Sequence, residues 1–114
     1  MELKPEISWS DFEKIDIRTG TVVAVSDFPK ARNPSYQLTI DFGALGFRKS
    51  SAQITALYGK EELVGRQILA VVNFPKKQIA NFLSECLVLG VYGHKNEVTL
   101  LTTTRSVENG SHVG

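Results

Sequence analysis

The chain has 114 residues, with 13 basic and 12 acidic side chains, a formal net charge of +1 at pH 7 and 42% apolar residues. These values predict one soluble globular domain over residues 1–114 and exclude a disordered chain. No apolar run approaches the ~20 residues that a membrane-spanning helix needs, and the N-terminus lacks a secretory signal. We therefore expect no membrane insertion and a cytoplasmic location.

The chain opens with a predicted helical turn. Ser10 and Glu13 have the spacing of a capping box, and Trp9 precedes them as a hydrophobic staple would. The helix is therefore expected to begin near Asp11.

Three strands are predicted after this turn. β-Branched residues recur at every second position of residues 15–26, which indicates a long, half-buried strand that can bend at Gly20. Residues 36–42 alternate apolar and polar side chains and predict a second strand with one wet face. Residues 47–54 predict a third strand, whose outward positions are polar or basic.

The second half of the chain contains two runs that do not alternate. Residues 68–72 and 86–91 are apolar at nearly every position, so both faces of these strands must be covered. Because the candidate helices are few and short, including one within residues 55–65, a partner subunit is the more economical cover. This pattern predicts a homodimer. A last strand over residues 98–102 follows a polar hairpin loop.

Short strands, close turns and little helix together predict an all-β fold. The best fit is a five-stranded OB-fold barrel with short helical segments and the N-terminal helical turn. In that architecture, ligands lie on the second and third strands and under the loops that join strands one to two and four to five.

Those two loops are the most basic segments of the chain. Residues 28–35 read FPKARNPS, residues 74–78 read FPKKQ, and neither segment has an acidic residue. The third strand adds two more cations, so a single face is expected to gather positive charge for an anionic partner. The candidate RNA-binding cations are Lys30, Arg32, Arg48, Lys49, Lys76 and Lys77. The alternative for each one is a solvated surface charge.

Polar and aromatic side chains near these cations are further candidates. Ser50, Ser51 and Gln53 can contact a phosphate, a base edge or a peptide backbone, or they can be plain edge-strand polarity. Phe28 and Phe74 precede prolines at strand exits, where exposed rings would serve a base or an apolar peptide. Phe47 is expected to join Tyr36 in the barrel core.

The remaining polar residues point to architecture and not to catalysis. Asn73 lies in an apolar run and should make structural hydrogen bonds, while Asp16 and Arg18 should pair on one strand face. Cys86 should be a buried thiol with a raised pKa, and the two histidines are too far apart in sequence to suggest a metal site. We expect no enzyme activity, metal or cofactor.

The motifs occur in an order that resembles a known family. They are DFEKIDIRTG at residues 11–20, the Phe-Pro to Tyr segment at 28–36, IDFG at 40–43, KSSAQIT at 49–55, ELVG at 62–65, VVNFP at 71–75, and Ser-Glu with LVLG at 84–90. Over about residues 8–110 the chain is similar to the tRNA-binding domains that occur free-standing or attached to aminoacyl-tRNA synthetases, and specifically to the CsaA branch.

This resemblance implies an OB-fold homodimer that binds tRNA without catalysis. For the CsaA branch it also implies an export-related chaperone role, in which a groove takes apolar segments of unfolded or pre-secretory polypeptides. Ser84 matches the serine of the family's Ser-x-Gly-Met motif, which is linked to RNA contact, although Cys86 and Leu87 replace the glycine and methionine. The expected function is tRNA binding with chaperone activity. The alternative is a chaperone for which RNA binding is secondary.

Overall fold

The described part of the chain, residues 2–95 and 97–114, has two short α-helices, one 3₁₀ turn at Gly43–Leu45 and ten strands in this computed structural model. None of the described helices is long and apolar enough to cross a membrane. In chain order the elements are α1 (Trp9–Glu13), β1 (Ile17–Asp27), β2 (Tyr36–Asp41), β3 (Phe47–Ala52), α2 (Lys60–Leu63), β4 (Gln67–Val71), β5 (Lys77–Ile79), β6 (Phe82–Ser84), β7 (Leu87–Val88), β8 (Gly90–Tyr92), β9 (Val98–Leu100) and β10 (His112–Val113).

Five antiparallel strands form the barrel, in the order β3-β2-β1-β4-β7. Its two outer strands approach each other just before β7, where the backbone N–H of Glu85 donates to the carbonyl of Lys49 at 2.7 Å. β5 and β6 form one separate hairpin, and β8 and β9 form another. This arrangement confirms the prediction of an all-β OB-fold with little helix.

The barrel interior is filled by aliphatic and aromatic side chains from four of its strands and from α2. β2 contributes Leu38 and Ile40, and Phe42 continues this alternation just after the strand, as the sequence pattern predicts. Such close-packed burial is the main favourable term in folding. The fully buried apolar residues are Val22, Leu38, Ile40, Phe42, Leu63, Ile68 and Ala70.

β1 occupies nearly the predicted residues, but its core-facing positions differ from the regular β-branched series. Gly20 and Val22 are buried, whereas Val23 is 41% exposed. Val22 pairs with Ile40 while Ala24 pairs with Thr39, so Val23 is the extra residue of a β-bulge. The bulge changes the face that each later residue of the strand presents.

The C-terminal segment packs on the outside of β1. Thr19 donates its hydroxyl to the Glu108 carbonyl at 2.9 Å, and its own carbonyl accepts from the Gly110 N–H at 2.7 Å. Thr21 and Asn109 add a side-chain hydrogen bond of 2.8 Å. These contacts bury the Thr19 side chain and fix the turn at Asn109 and Gly110.

The N-terminal helix is capped by a different serine from the predicted one. Ser8, not Ser10, is the N-cap: its hydroxyl accepts from the Asp11 N–H at 3.1 Å, and the Asp11 carboxylate accepts from the Ser8 N–H at 3.2 Å. The hydrogen bond from the Ser8 N–H is the main cause that lowers the pKa of the Asp11 carboxyl. Two overlapping serine patterns compete here, and the one with aspartate at its third helical position forms.

Two local predictions about polar residues are confirmed. The Asn73 side chain accepts from the Asp16 N–H at 3.0 Å and donates to the Lys14 carbonyl at 2.7 Å. Arg18 Nε lies 2.7 Å from Asp16 Oδ1. Both contacts attach the segment after α1 to the barrel.

One of the two apolar runs does not need a partner subunit. Ile68, Ala70, Val71 and Val72 are all buried within the single chain, so the reasoning from residues 68–72 to a dimer is wrong. The other run differs, because Leu87 is 49% exposed and Val91 is 55% exposed.

Gly20 is a site where added volume should destabilise the barrel. A Cβ at this position would lie 2.7 Å from Ile40 Cγ2 and 2.8 Å from Phe42 Cδ1. We predict that Gly20→Ala lowers the free energy of unfolding by about 1–3 kcal/mol, measured by urea denaturation, because core side chains must shift. Gly93→Ala is the control, since its nearest contact would be an ordinary 3.6 Å. Equal losses in both variants would contradict the prediction.

Candidate nucleic-acid interface

Two basic loops contact each other beside the barrel. The first basic loop, residues 28–35, joins β1 to β2. The second basic loop, residues 72–86, joins β4 to β7 and contains the β5–β6 hairpin. The rings of Phe28 and Phe82 pack with centroids 5.4 Å apart at an interplanar angle of 56°. This aromatic contact brings together two segments that are far apart in sequence.

The second basic loop is also attached to β3. The Lys49 N–H donates to Glu85 Oε1 at 2.9 Å, the Glu85 N–H donates to the Lys49 carbonyl at 2.7 Å, and the Ser51 N–H donates to Ser84 Oγ at 3.3 Å. These bonds satisfy part of the free edge of β3. The loop therefore has a defined position next to the outward face of that strand.

Glu85 is the acidic residue at the centre of this attachment. The N–H of Lys49 lowers the pKa of its carboxyl, Lys76 and Arg48 act in the same direction, and burial opposes them. Lys76 Nζ lies 3.4 Å from Glu85 Oε2. The charge of Lys76 is therefore partly used within the loop, unlike that of its neighbour Lys77.

Four of the predicted cations face solvent. Across residues 2–95 and 97–114, none of these four forms an ion pair, so their charges are available to a ligand. We call them the basic face: Lys30 and Arg32 of the first basic loop, Lys49 of β3 and Lys77 of the second basic loop.

Arg48 is not part of this outward group. β3 alternates, and Arg48 is half-buried on the opposite side from Lys49, where its Nη1 donates to the Val72 carbonyl at 2.9 Å. The guanidinium thus links β3 to the end of β4. Its position favours a structural role over contact with RNA.

Two of the predicted contact serines are buried. Ser50 is 1% exposed and donates to the Cys86 carbonyl at 2.9 Å, while Ser84 is 8% exposed and bonds to Ser51 and Cys86. Both hydroxyl groups are therefore buried and hydrogen-bonded within the chain, and they are not available to a ligand. Ser51 is half-buried and Gln53 is exposed, so these two remain accessible beside Lys49.

The aromatic residues are arranged differently from the prediction. Phe28, expected to be exposed, is 5% exposed because it packs on Phe82, whereas Phe74 is 54% exposed as expected. Phe47, expected in the core, is 67% exposed on the outward face of β3, and Tyr36 is half-buried with its hydroxyl on the Tyr58 carbonyl at 2.8 Å. Sequence reasoning missed Phe47 because the inward residues of β3 include Arg48 and Ser50, which hide the usual apolar alternation.

A mainly apolar cleft lies next to this face. It has a volume of about 270 Å³ and separates the end of β3 from β7, β8 and β9. Ala52, Ile54, Val88 and Leu100 line its floor and Tyr92, which is 87% exposed, stands at the cleft as well. Gln53 belongs both to this cleft and to a more polar one of about 290 Å³ that includes Asn33 and Lys95.

Cys86 behaves as the sequence predicts. It is 7% exposed, and burial raises the pKa of its thiol to about 11. A protonated buried thiol is a poor nucleophile at neutral pH.

The attachment of the second basic loop can be tested at Glu85. We predict that Glu85→Gln lowers the free energy of unfolding by about 1 kcal/mol at pH 7, because the amide accepts a weaker hydrogen bond from Lys49 and loses the Lys76 ion pair. The folded-state pKa of Glu85 is lowered, so its contribution is present above its ordinary pKa and is lost as pH falls through the folded value.

The measurement is urea denaturation at neutral and acidic pH. The difference between wild type and Glu85→Gln should shrink on acidification, and Glu61→Gln, which changes an exposed carboxylate on α2, is the control. A difference independent of pH would show that the carboxylate charge does not hold the loop.

The chain is similar to known proteins along most of its length. The family model for the tRNA binding domain matches residues 17–112. A crystal structure of a CsaA chaperone protein from Picrophilus torridus is 51% identical, with a TM-score of 0.90 over 96% of this chain and 100% of that one. The chaperone CsaA of Bacillus anthracis is 45% identical, with a TM-score of 0.93 over the same shares.

Curated relatives include much longer proteins. The methionine–tRNA ligase of Chlorobium chlorochromatii is 34% identical over 99% of this chain, but that match covers only 16% of the ligase. The chain thus spans about a sixth of the length of the curated relatives it matches.

Proposed function

Because this chain belongs to the tRNA binding domain family, and within it to the CsaA group, we propose that it binds tRNA without catalysis through its two basic loops and the outward face of β3. The observation that carries this proposal is the packing of Phe28 on Phe82, which brings the two basic loops together. RNA binding of this kind suits a cytoplasmic protein.

The basic face supplies the electrostatic part of the binding. The formal net charge of the chain is only +1, so long-range attraction of RNA is weak and binding depends on local phosphate contacts. Phosphate contacts from two loops and one strand would position a folded RNA by its shape.

A binding role without chemistry also agrees with the reactive groups of the chain. The Cys86 thiol is buried and has a raised pKa, and His94 and His112 lie in separate surface segments. The ligase relatives are matched over a sixth of their length, so their activity is not carried over to this chain.

The salt dependence of tRNA binding tests this proposal. Replacing Arg32 and Lys77 together by Gln should reduce the slope of log K against log salt by about 1.5, because each lost phosphate contact removes about 0.7–0.9. The measurement is fluorescence anisotropy with labelled unfractionated tRNA between low and moderate salt.

The control removes the same charge elsewhere. Lys4→Gln with Arg105→Gln changes two exposed cations outside the basic face and should leave the slope unchanged. Wild-type protein that does not bind tRNA at low salt, or equal slopes in the two double variants, would refute the assignment of this face.

The second candidate function is polypeptide binding, and the apolar cleft favours it. The cleft has an apolar floor, a volume of about 270 Å³ and the exposed Tyr92 beside it, which suits an apolar side chain of an unfolded or pre-secretory segment. The two CsaA relatives are named as chaperones. A permanently unfolded, carboxymethylated protein in the same anisotropy assay separates the two functions, because apolar capture should persist at the salt concentration that abolishes tRNA binding.

We further propose a homodimer, in which exposed apolar residues meet a second copy. Leu87 of β7 and Val91 of β8 are about half exposed, and the N-terminal segment exposes Ile7 at 62% and Trp9 at 86%. Exposed apolar side chains that lie together are typical of protein–protein contact surfaces.

Light scattering at micromolar concentration should therefore give twice the chain mass of 12.6 kDa. Leu87→Asp with Val91→Asp should give the monomer mass with an unchanged far-UV circular dichroism spectrum, because a buried unpaired charge disfavours the interface. Leu83→Asp, on the β5–β6 hairpin, is the control. A wild-type monomer that is stably folded would refute the dimer.

A further inference from the structure

Phe47 begins a regular row of outward side chains on β3. Because Arg48, Ser50 and Ala52 face the barrel, Phe47, Lys49 and Ser51 face outward at intervals of about 6.8 Å, and Gln53 follows just beyond the strand. We call these four residues the β3 row. Phe47 is 67% exposed although it is a large aromatic residue.

The neighbouring strand leaves the ring of Phe47 open. On β2, Asp41 pairs with Phe47, Thr39 with Lys49 and Gln37 with Ser51, all of them shorter or polar side chains. Across the described ranges, the packed aromatic pair is Phe28 with Phe82, and Phe47 takes no part in such a contact. One ring face is therefore available for stacking.

The charges around the β3 row suit a polyanion. Lys49 is exposed next to Phe47 along the strand, and Lys77 projects from the adjacent loop. The nearby carboxylates are engaged: Asp41 accepts from the Gly43 N–H at 2.8 Å, and Glu85 is held by the Lys49 N–H and Lys76. A phosphate would be attracted towards Lys49 and repelled from Asp41.

We propose that the β3 row binds an unpaired segment of RNA, with one base stacked on Phe47 and the adjacent phosphate at Lys49. This inference rests on the proposed function and narrows its ligand to RNA that has an unpaired segment, such as a loop of a folded RNA. Base faces are covered in a duplex, so only an unpaired nucleotide can stack on an exposed ring. Ser51 and Gln53 then offer hydrogen bonds to the following nucleotides.

Stacking and phosphate contact have different signatures, which makes the two roles separable. Removing an aromatic ring lowers the affinity but leaves the number of released counterions unchanged, so the slope of log K against log salt stays constant. Removing a phosphate-binding cation lowers the slope. Phe47 and Lys49 are neighbours in the β3 row and can be compared directly.

The experiment measures binding of a single-stranded RNA of about ten nucleotides, within the site size of an OB-fold, and of the same sequence as a blunt duplex. Phe47→Ala should weaken single-strand binding about 5- to 150-fold at constant salt slope, while Phe47→Trp should keep wild-type affinity. Lys49→Gln should instead lower the slope by about 0.7. Phe12→Ala removes a partly exposed aromatic of α1, which belongs neither to the β3 row nor to the apolar cleft, and should leave single-strand binding unchanged.

Three outcomes would overturn the inference. They are an unchanged affinity in Phe47→Ala, an equal loss for single strand and duplex, and a loss that light scattering traces to a change in oligomeric state. Wild-type binding of unfractionated tRNA is measured in the same series. If tRNA binds and Phe47→Ala has no effect, only the stacking role fails, whereas absence of tRNA binding removes the proposed function itself.

Discussion

The site depends on the attachment of the second basic loop to β3. Lys49 and Glu85 exchange hydrogen bonds, one from each backbone N–H, and Ser84 accepts a third from Ser51. A long loop without such contacts would sample many positions at an entropic cost to any ligand that ordered it. Because these bonds and the Phe28–Phe82 contact are formed within the chain, part of that cost is met during folding.

The inner side of β3 explains why its outer side is free to bind. In the part of the chain that the structure describes, β3 and β7 do not pair as strands, and polar side chains of β3 contact the neighbouring backbone instead. Arg48 reaches the Val72 carbonyl at 2.9 Å, and Ser50 reaches the Cys86 carbonyl at 2.9 Å. These inward side chains satisfy backbone carbonyls where strand pairing is incomplete and so help to close the barrel. The polar residues on the inner face of β3 are therefore structural, whereas those on its outer face are free to contact a ligand.

The difference between the inner and outer faces of β3 also limits what the sequence could predict. Alternation and turn residues predict the barrel, the buried side chains of Leu38, Ile40 and Phe42 in and just after β2, and the positions of both basic loops. The assignments on β3 did not, because alternation carries no signal when Arg48 and Ser50 face inward.

Long-range contacts account for the other differences. Phe28 is buried by Phe82, a residue more than fifty positions away in sequence. No local sequence pattern predicts a contact between residues so far apart. The predictions for two phenylalanines are therefore wrong in opposite directions. Phe28, predicted to be exposed, is buried, and Phe47, predicted to be buried, is exposed. Since only Phe47 is in phase with Lys49, the structure supplies the combination of ring and cation that the sequence alone did not indicate. A nearly neutral chain can therefore present a surface suited to RNA, because what matters to the ligand is which side chains share a face and not how many of them the chain contains.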